Sequence, residues 1–540
     1  MNTKWNQRRG QNFKATHLNF YEFPTEDPNE LEVYCYTNNI TYAPGDAVKF
    51  HTSTTAQNYS IEIVRDGASP EVVYRVEGLP GELHKTPVDA PIKGCGWPES
   101  HCWTVPADLR SGGYIVLTKA RNDAGEEVEH EHFFAVRSSR PGQDADILLV
   151  CATSTWIAYN DWGGANHYEG NVGGPDTNEM SPVLSTQRPW ARGQICLPVG
   201  APRIPMENSP ERGAIPRYPH MEFAYAMGYS KYCAAGGWAM YERHFVTWAE
   251  SNGYKIDIAT QHDLQFHPGL LNNYQCVVFV GHDEYWSAEQ RDAVDAYVDQ
   301  GGNVARFGGN FTWQVRLEDD GKTQVCYKYN ADDFDEFARS QPEKLTGAWD
   351  HAQINRPAAQ TFGLTGSNSV YVGLGGFNPR NAKGFTVYRP EHWIFEGADL
   401  YFGDTFGSEA RIFAYEVDGV DFTFRHGLPY PTFTDGAPEG LEILAMGVSS
   451  NAEEDHGNRG AYLYAGDGDW EFMCRLKRGE ITEQNMAETK HGAGMIGVFT
   501  RNGGTVVNAG SVEWVNGLRL REPMTEQVTR NVLNRFSRSD

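Results

Sequence analysis

The sequence predicts a multi-domain protein, in which an N-terminal β-sandwich of immunoglobulin-like type precedes a large α/β domain with a mostly parallel sheet. The chain has 540 residues, which is too many for one hydrophobic core. Residues 30–137 contain short segments in which apolar and polar side chains alternate, as they do in half-buried strands. After residue 145, near-continuous apolar segments alternate with amphipathic ones, which is typical of a parallel sheet covered by helices.

The N-terminal region divides into an arm, residues 1–29, and the predicted sandwich, residues 30–137. The alternating segments of the sandwich are LEVYCYTN, DAVKFHTST, YSIEIVRDG, EVVYRVEG and GGYIVLTKARND. The sequences PGD, DGASP and SGG, which favour turns, lie among them. Short strands separated by turns in this way are typical of an immunoglobulin-like fold.

The sequence SSRPGQD is a linker, and the α/β domain is predicted to occupy residues 145–540. ADILLVCAT, CVVFV and NVARF are apolar enough to form strands that are buried on both faces. WAMYERHFVTWAESNGY has a helical period, with Gly253 suited to its C-terminal end. SAEQRDAVDAYVDQGG is predicted to be a helix that begins with a capping box of Ser287 and Gln290.

The net charge of −25 restricts the partners of this protein. So acidic a surface repels the phosphates of nucleic acids and of anionic membranes. No apolar segment approaches the length of a membrane span, and the N-terminus lacks an apolar leader, so we expect a cytoplasmic protein. The nine cysteines are dispersed without a CxxC pair, which predicts free thiols, Cys95 and Cys102 included.

Polar side chains follow four of the predicted strands at the point where each strand ends. STWIAYNDWGG follows the first, GHDEYWS the second and GGNFTW the third, and SVEW follows TVVNAG near the C-terminus. In open α/β sheets, ligands bind beyond the carboxyl ends of the strands. These stretches therefore predict a site, with the candidate residues Tyr159, Asn160, Asp161, His282, Glu284, Asn310 and Glu513.

The residue types at this edge suit a metal cation. An ionised Glu is a hard oxygen ligand, and a Tyr phenol, with a free pKa of about 10, becomes a ligand only for a strongly Lewis-acidic cation. Each residue also has a structural interpretation: Glu284 as a helix cap, His282 as a hydrogen-bonded core residue, Tyr159 as packing and Asn310 as a turn residue. GxSxG, HExxH and P-loop motifs are absent from the sequence, and Cys276 begins its strand instead of ending it.

Several stretches together resemble the large (beta) subunit family of N,N-dimethylformamidase. They are STWIAYNDWGG, RGAIPRYPHMEFAYAMGYSKY, GHDEYWS, RFGGNFTWQVRLEDDG and EHWIFEG with AYEVDG. The resemblance runs from about residue 145 to the C-terminus and is weaker in the N-terminal region. It implies a catalytic domain that is similar in fold to class I glutamine amidotransferases without their cysteine. It also implies one iron ion (Fe³⁺) per chain, held by two tyrosines and one glutamate.

The resemblance assigns the site residues by motif. Glu284 in HDE and Tyr159 in AYN match two of the metal ligands. Tyr225 in EFAYAMGY is the first candidate for the second tyrosine, followed by Tyr218 and then Tyr168. The residues that match catalytic positions are His282 and Asn310, and less closely Glu416 in AYEVDG and Lys328 in CYKYN.

The resemblance implies hydrolysis of the C–N bond of a small N-substituted amide through a metal-bound hydroxide, with N,N-dimethylformamide, formate and dimethylamine as the type reaction. We expect Trp156, Trp162 and Phe311 to shape an apolar pocket for the N-alkyl groups. A homo-oligomer and a small-subunit partner are both compatible with the family. Two alternatives stay open: a catalytically silent α/β protein that binds a sugar or another small ligand, and a metallohydrolase acting on a different amide, a lactam or a urea.

Overall fold

Two β-sheets form the N-terminal part of the protein. The computed structural model describes residues 22–25, 27–170, 180–197, 232, 235–368, 370–372, 383–451 and 466–537. The strands of this part are β1 (Val33–Thr37), β2 (Thr41–Tyr42), β3 (Ala47–Thr54), β4 (Asn58–Asp66), β5 (Glu71–Pro80), β6 (His101–Thr104), β7 (Gly112–Arg121) and β8 (Glu127–Val136). They pair in the orders β1-β3-β6 and β2-β8-β7-β4-β5.

The two sheets share one apolar core, to which Val33 and Phe50 contribute from one sheet and Ile61, Tyr114 and Phe134 from the other. The five segments that the sequence predicts as strands here are confirmed. The strands β2, β6 and β8 were missed. In β8 (EVEHEHFFAV), charged and histidine side chains interrupt the apolar pattern that would have predicted a strand. The immunoglobulin-like topology stays a prediction.

The remaining strands lie in the α/β part of the chain. In chain order they are β9 (Ile147–Cys151), β10 (Val183–Ser185), β11 (Ile256–Thr260), β12 (Cys276–His282), β13 (Tyr285–Ser287), β14 (Asn303–Gly309), β15 (Trp313–Glu318), β16 (Thr323–Val325), β17 (Tyr371–Val372), β18 (Phe385–Val387), β19 (Thr405–Phe406), β20 (Tyr415–Glu416), β21 (Phe422–Arg425), β22 (Leu428–Pro431), β23 (Glu442–Ser450), β24 (His491–Arg501) and β25 (Gly504–Asn508). The largest sheet has 11 strands, with the order β11-β9-β12-β14-β25-β24-β23-β17-β20 and β18 and β19 beside β23.

This large sheet is mixed, so the prediction of a mostly parallel sheet is wrong for its second half. Strands β11, β9, β12, β14 and β25 are parallel neighbours. From β25 onward, the pairs with β24, β23, β17 and β20 are antiparallel. The reversal begins at a two-residue turn between β24 and β25, where Asn502 and Gly503 both have positive φ angles of 51° and 94°. Such a turn joins only antiparallel strands.

The helices include the two that the periodicity and the capping box predict. Their bounds are Ala90–Lys93, Thr153–Tyr159, Glu242–Ser251, Gln261–Phe266, Ala288–Asp299, Ala331–Phe334, Ala359–Phe362, Gly466–Arg478, Glu483–Lys490, Trp514–Arg519 and Pro523–Phe536. The capping box of Ala288–Asp299 is present: Gln290 N donates to Ser287 Oγ at 3.2 Å, and Ser287 N donates to Gln290 Oε1 at 2.8 Å. Gly253 follows the C-cap of helix Glu242–Ser251 with a φ of 84°.

The N-terminal sheets and the α/β part are packed against each other. Phe133 of β8 contacts Trp156 and Trp238 with ring centroids 5.2 and 4.9 Å apart. The side chain of Arg65 at the end of β4 donates to Glu250 Oε1 at 2.6 Å. The arrangement is that of a multi-domain α/β protein, and the boundaries at residues 30–137 and 145–540 stay predictions.

Two further expectations concern cysteines and membranes. Cys95 is buried and Cys102 is exposed, and both are free thiols, as predicted. In the part of the chain that the structure describes, no helix combines the length and the apolar character that crossing a membrane requires.

Candidate functional site

The parallel half of the large sheet brings three of the predicted stretches to one edge. Strands β9, β12 and β14 are neighbours, so their carboxyl ends point the same way. Tyr159 ends the helix that follows β9, His282 ends β12, and Asn310 follows β14 with a φ of 62°, which asparagine tolerates better than most residues. Glu416 reaches the same place from β20, although β20 is the last strand in the sheet order.

Two phenols and one carboxylate meet at the centre of the site. The Tyr159 hydroxyl donates to Glu284 Oε2 at 3.0 Å, and the Tyr168 hydroxyl lies 2.6 Å from the Tyr159 hydroxyl. The Tyr168 hydroxyl also lies 3.1 and 3.0 Å from the two carboxylate oxygens of Glu284. The structure therefore places Tyr168, the third candidate from the sequence, beside Tyr159 and Glu284. Tyr218 and Tyr225 lie outside the described residues.

The Glu284 carboxylate is buried and held from several sides. Trp313 Nε1 donates to Glu284 Oε1 at 2.7 Å, so the indole fixes the rotamer. The backbone N–H of Glu284 donates to Thr155 Oγ1 at 2.9 Å, and its carbonyl accepts from the N–H groups of Thr312 and Trp313 at 3.2 and 3.0 Å. Glu284 does not cap the following helix, because β13 lies between them and Ser287 is the N-cap. The helix-cap interpretation is thereby wrong.

His282 forms a second cluster with two carboxylates. Its Nδ1 lies 2.6 Å from the carbonyl oxygen of Ala235, and its Nε2 lies 2.8 Å from Glu416 Oε2 and 3.2 Å from Glu284 Oε2. A histidine with a carbonyl at one nitrogen and carboxylates at the other is stabilised with both nitrogens protonated. Although burial opposes the charge, Glu416 and Glu284 hold the pKa of His282 well above its usual value.

The carboxylates in this cluster differ in their proton affinity. Burial raises the pKa of Glu416, and the nearby His282 and a hydrogen bond with Asn310 only partly offset that effect. Burial also opposes the ionisation of Glu284, but His282 and Lys328 outweigh it and lower its pKa. The site thus contains one carboxylate that favours the ionised form beside one that binds a proton more readily.

Asn310 completes this second cluster. Its Nδ2 lies 3.2 Å from His282 Nε2, and its Oδ1 accepts the Thr312 hydroxyl at 2.7 Å. The hydrogen bond from the Thr312 hydroxyl orients the Asn310 amide so that its NH₂ group faces His282 and Glu416. The structure therefore brings together Tyr159, His282, Glu284, Asn310 and Glu416, which are five of the predicted site residues within its described part.

Lys328 lies against the tyrosines without a hydrogen-bonding partner among the described residues. Its Nζ is 3.3 Å from the centroid of the Tyr168 ring and 4.9 Å from that of Trp313, so aromatic faces surround the ammonium group. Burial lowers the pKa of Lys328 to about 8. This residue matched the family only loosely in sequence, and the structure places it at the site.

The aromatic wall of the site is made of residues other than those predicted. Trp156 and Trp162 belong to the main hydrophobic core, and Phe311 to the core on the other face of the sheet. The prediction that these three line the pocket is therefore wrong, because their side chains are buried in these two cores. The side chains packed around the phenols are instead Tyr168, Tyr232, Tyr285, Trp313 and, from helix Gly466–Arg478, Phe472.

Three other candidates from the strand ends, Asn160, Asp161 and Glu513, are buried. Asn160 Nδ2 donates to the carbonyl of Pro189 at 3.0 Å, and its Oδ1 accepts the N–H groups of Trp162 and Ala191 at 3.2 and 3.0 Å. Glu513 is buried at the N-cap of helix Trp514–Arg519. Sequence reasoning missed the role of Trp313, although this residue lies in the stretch GGNFTW. Its indole N–H was the available signal, because a buried indole N–H requires a hydrogen-bond acceptor.

Comparison with known proteins identifies similar chains at low identity. A family model described as "N,N-dimethylformamidase beta subunit-like, C-terminal" matches residues 62–529. A relative named N,N-dimethylformamidase beta subunit, from Alcaligenes sp, is 23% identical over 482 residues, covering 83% of this chain and 55% of that protein. Another of the same name, from Paracoccus aminophilus, is 24% identical over 315 residues, covering 55% of this chain and 36% of that protein.

The chain thus spans about half the length, or less, of these curated relatives. Among solved structures, that of murine CRIg covers 20% of this chain and 97% of its own, with 10% identity and a TM-score of 0.14. A TM-score this low carries no argument about the fold.

Proposed function

The chain belongs to the N,N-dimethylformamidase beta subunit-like family, and from this membership and the site geometry we propose that it hydrolyses the C–N bond of a small, linear N-substituted amide. N,N-dimethylformamide and water, giving formate and dimethylammonium, are the model reactants. The observation that carries the proposal is the convergence of Tyr159, Tyr168 and Glu284 with His282 and Glu416 in one buried cluster.

The donor set fits one iron(III) ion per chain. Two phenols and a carboxylate offer hard oxygen ligands, and they lie within 3.1 Å of each other. Burial and the nearby Glu284 hold the pKa values of Tyr159 and Tyr168 well above the usual range, so only a strongly Lewis-acidic cation would release their protons. Among the described residues, no group of three or more His, Cys, Asp or Glu side chains is arranged for a metal, and the donor set that we propose includes the two phenols.

We assign Tyr168 as the second tyrosine of this donor set, and Tyr225 stays a prediction outside the described residues.

When bound, the cation would polarise the amide carbonyl and make a water molecule more acidic. The chain itself would then move the protons. Glu416, whose pKa is raised, accepts the proton of the attacking water, and His282 donates its Nε2 proton to the leaving amine.

The contact between His282 and Glu416 allows both side chains to regain their initial protonation states after the reaction. Their side chains lie 2.8 Å apart, so the proton that Glu416 has accepted passes directly to Nε2 after the amine leaves. Asn310 has its amide at the same place and donates a hydrogen bond to the carbonyl oxygen as negative charge develops there. Hydrogen bonding to the Thr312 hydroxyl orients this amide before the substrate arrives.

The aromatic wall suits N-alkyl substituents. Tyr232 stands 5.9 Å from Tyr159, and Phe472 stands 5.4 Å from Trp313, measured between ring centroids. Apolar walls of this kind bind methyl groups and exclude bulk water, which strengthens electrostatic interactions inside the site. Because the relatives are named beta subunits, we also propose that the protein assembles with a second, different subunit.

The first experiment measures iron content, the visible spectrum and the release of formate from N,N-dimethylformamide. Tyrosinate bound to ferric iron absorbs broadly in the visible range, so a coloured protein with about one iron per chain supports the donor set. Glu284→Gln should abolish both colour and turnover. Glu289→Gln, at an exposed position in the first turn of helix Ala288–Asp299, is the matched control and should change neither.

The other outcomes of this experiment separate the alternatives. A protein that stays free of metal after anaerobic reconstitution with iron, and that releases no formate, would favour a small-ligand or sugar-binding protein. A protein that binds iron but releases no formate from a panel of formamides would favour a metallohydrolase acting on a lactam, a urea or another amide. Retention of both iron and turnover by Glu284→Gln would contradict the proposed site.

A further inference from the structure

The guanidinium of Arg306 is fully buried beside the site. Arg306 lies in β14, and its Nε donates to Asp283 Oδ2 at 3.0 Å. Its Nη1 donates to Asp418 Oδ2 at 2.5 Å, and its Nη2 to the backbone carbonyl of Asp283 at 3.2 Å. The rings of Phe311 and Phe362 lie 5.5 and 5.1 Å from the guanidinium carbon, so aromatic side chains contact the cation where it makes no ion pair.

Each carboxylate that Arg306 binds is next to residues of the site. Asp283 stands between His282 and Glu284 in the chain, and Asp418 follows Glu416 by two positions. Asp418 has a second connection, because its Oδ1 accepts the backbone N–H of Phe311 at 3.1 Å. Phe311 directly follows Asn310, so one cation is linked to three chain segments that together carry His282, Glu284, Asn310 and Glu416.

The strand order of the sheet does not make these three segments direct neighbours. Strands β12 and β14 are hydrogen-bonded neighbours, but β20, which carries Glu416, is separated from them by β25, β24, β23 and β17. A backbone bridge between Val417 and Ser511 is a further link near β20. The ion pairs of Arg306 with Asp283 and Asp418 form a side-chain connection that joins the Glu416 segment to the end of β12.

The network requires the shape of arginine. The planar guanidinium presents several N–H donors in a fixed fork, whereas a lysine ammonium is a point charge on a flexible stem. The second oxygen of Asp283 accepts from Trp286 Nε1 at 2.8 Å and from Gln261 Nε2 at 3.1 Å, so neutral donors complete its coordination. The guanidinium of Arg306 is therefore the group that donates to the carboxylates of both Asp283 and Asp418.

We propose that Arg306 is a positioning residue, which acts through Asp283 and Asp418 to hold His282, Glu284, Asn310 and Glu416 in one reactive arrangement. The inference deepens the proposed function and rests on it for its kinetic consequences. Its structural consequence, the relative order of three segments, is independent of the substrate.

The test compares Arg306→Lys with Arg65→Lys. Arg65 is also a buried arginine in an ion pair, but its partner Glu250 joins the N-terminal sheets to the α/β part, far along the chain from the site segments. We measure kcat and KM on N,N-dimethylformamide and amide hydrogen exchange in peptides that cover residues 281–287, 308–313 and 414–420. Arg306→Lys should lower kcat about 100-fold with KM changed less than about threefold, because a misplaced catalytic group costs roughly that much.

The same variant should exchange amide hydrogen faster in those three peptides than in the strands around them. Arg65→Lys should leave kcat and the three peptides unchanged, even where its melting temperature falls. If Arg306→Lys does not fold, Asp418→Asn serves instead: it keeps the side-chain shape, removes one ion pair, and should likewise lower kcat and speed exchange of the Phe311 amide.

Three results would overturn the inference. One is wild-type kcat and exchange in both Arg306→Lys and Asp418→Asn. Another is a uniform rise in exchange across the whole sheet, which would make Arg306 a general stabiliser. The third is a rise in KM with kcat unchanged. If the wild-type protein hydrolyses no amide, the proposed function fails, and the exchange pattern by itself then decides whether Arg306 orders the three segments.

Discussion

The phenol oxygens of Tyr159 and Tyr168 lie 2.6 Å apart, and each lies 3.0 Å from Glu284 Oε2. In a buried site, three acidic oxygens at such distances are stable only if they share protons or surround a cation. Burial and Glu284 raise the pKa values of both phenols, so without a cation the phenols keep their protons and share them with Glu284. Once those protons leave, the same three oxygens can surround a cation.

Replacing Tyr168 by Phe should remove the visible absorption of the iron-loaded protein and lower its iron content. The change deletes one oxygen donor and leaves the ring in place. Tyr225→Phe is the competing variant, and Tyr254→Phe, whose hydroxyl bonds Asn534 at 2.9 Å in another part of the protein, is the control. If Tyr225→Phe loses the absorption and Tyr168→Phe keeps it, Tyr225 is the second ligand.

Replacing His282 by Gln should lower kcat on N,N-dimethylformamide by about 100- to 10,000-fold, as is usual when a general acid is lost. The reason is that the dimethylamine nitrogen needs a proton in order to leave. On formanilide, whose amine is a far better leaving group, the loss should be at least about tenfold smaller. An equal loss on both substrates would remove His282 from the proton-donating role and leave it a structural one.

Replacing Asn310 by Asp should lower kcat about 100-fold with little change in KM, because a hydrogen-bond donor to the developing oxyanion becomes a carboxylate. Asp tolerates the positive φ of 62° at this position, so the backbone should be preserved. Steady-state kinetics with a circular-dichroism melt of both proteins provides the measurement. A variant whose kcat equals that of the wild type would show that Asn310 serves only as a turn residue.

Glu242 should make the free energy of unfolding fall as pH rises. Burial raises its pKa to about 8 from an ordinary value of 4.5. Between those values the folded carboxyl keeps a proton that the unfolded one releases, so unfolding becomes more favourable by up to roughly 1.4 kcal/mol per pH unit.

Glu242→Gln retains the oxygen that accepts from Ala152 N at 3.0 Å and Trp156 Nε1 at 3.1 Å, and it should flatten this dependence. Urea unfolding at pH 5, 6, 7 and 8 provides the measurement, with Glu289→Gln as the exposed control. Parallel curves for the wild type and Glu242→Gln would mean that Glu242 is ionised in the folded protein.

Gly281 should tolerate alanine much less well than Gly301. Both have positive φ angles, of 74° and 94°, so both alanine variants incur backbone strain of about 1–2 kcal/mol. A Cβ on Gly281 would lie 2.2 Å from Cβ of Tyr241, whereas a Cβ on Gly301 meets no atom within 4 Å. Thermal melts should therefore show that Gly281→Ala is less stable than Gly301→Ala by about 1–3 kcal/mol, which is the usual cost of overpacking.

Much of this protein was predictable from local patterns. The capping box of Ser287 and Gln290, the buried strand β12 and the helix Glu242–Ser251 depend on neighbours in sequence, and each is present. The antiparallel half of the large sheet was missed because strand direction depends on the connections. The turn at Asn502 and Gly503 is a local feature of the sequence, but the pairing partners of β24 and β23 are not.

The sequence by itself determined which residues were available at the strand ends, because polar side chains after apolar strands are a local feature of a buried sheet. It determined the family as well, through GHDEYWS and the stretches that accompany it. Only the tertiary structure decided that Tyr168 lies beside Tyr159, that Glu416 reaches His282 from the last strand of the sheet, and that Trp156, Trp162 and Phe311 point into the cores. Those contacts depend on strand order and on the paths of the loops, and the periodicity of a chain carries no information about either.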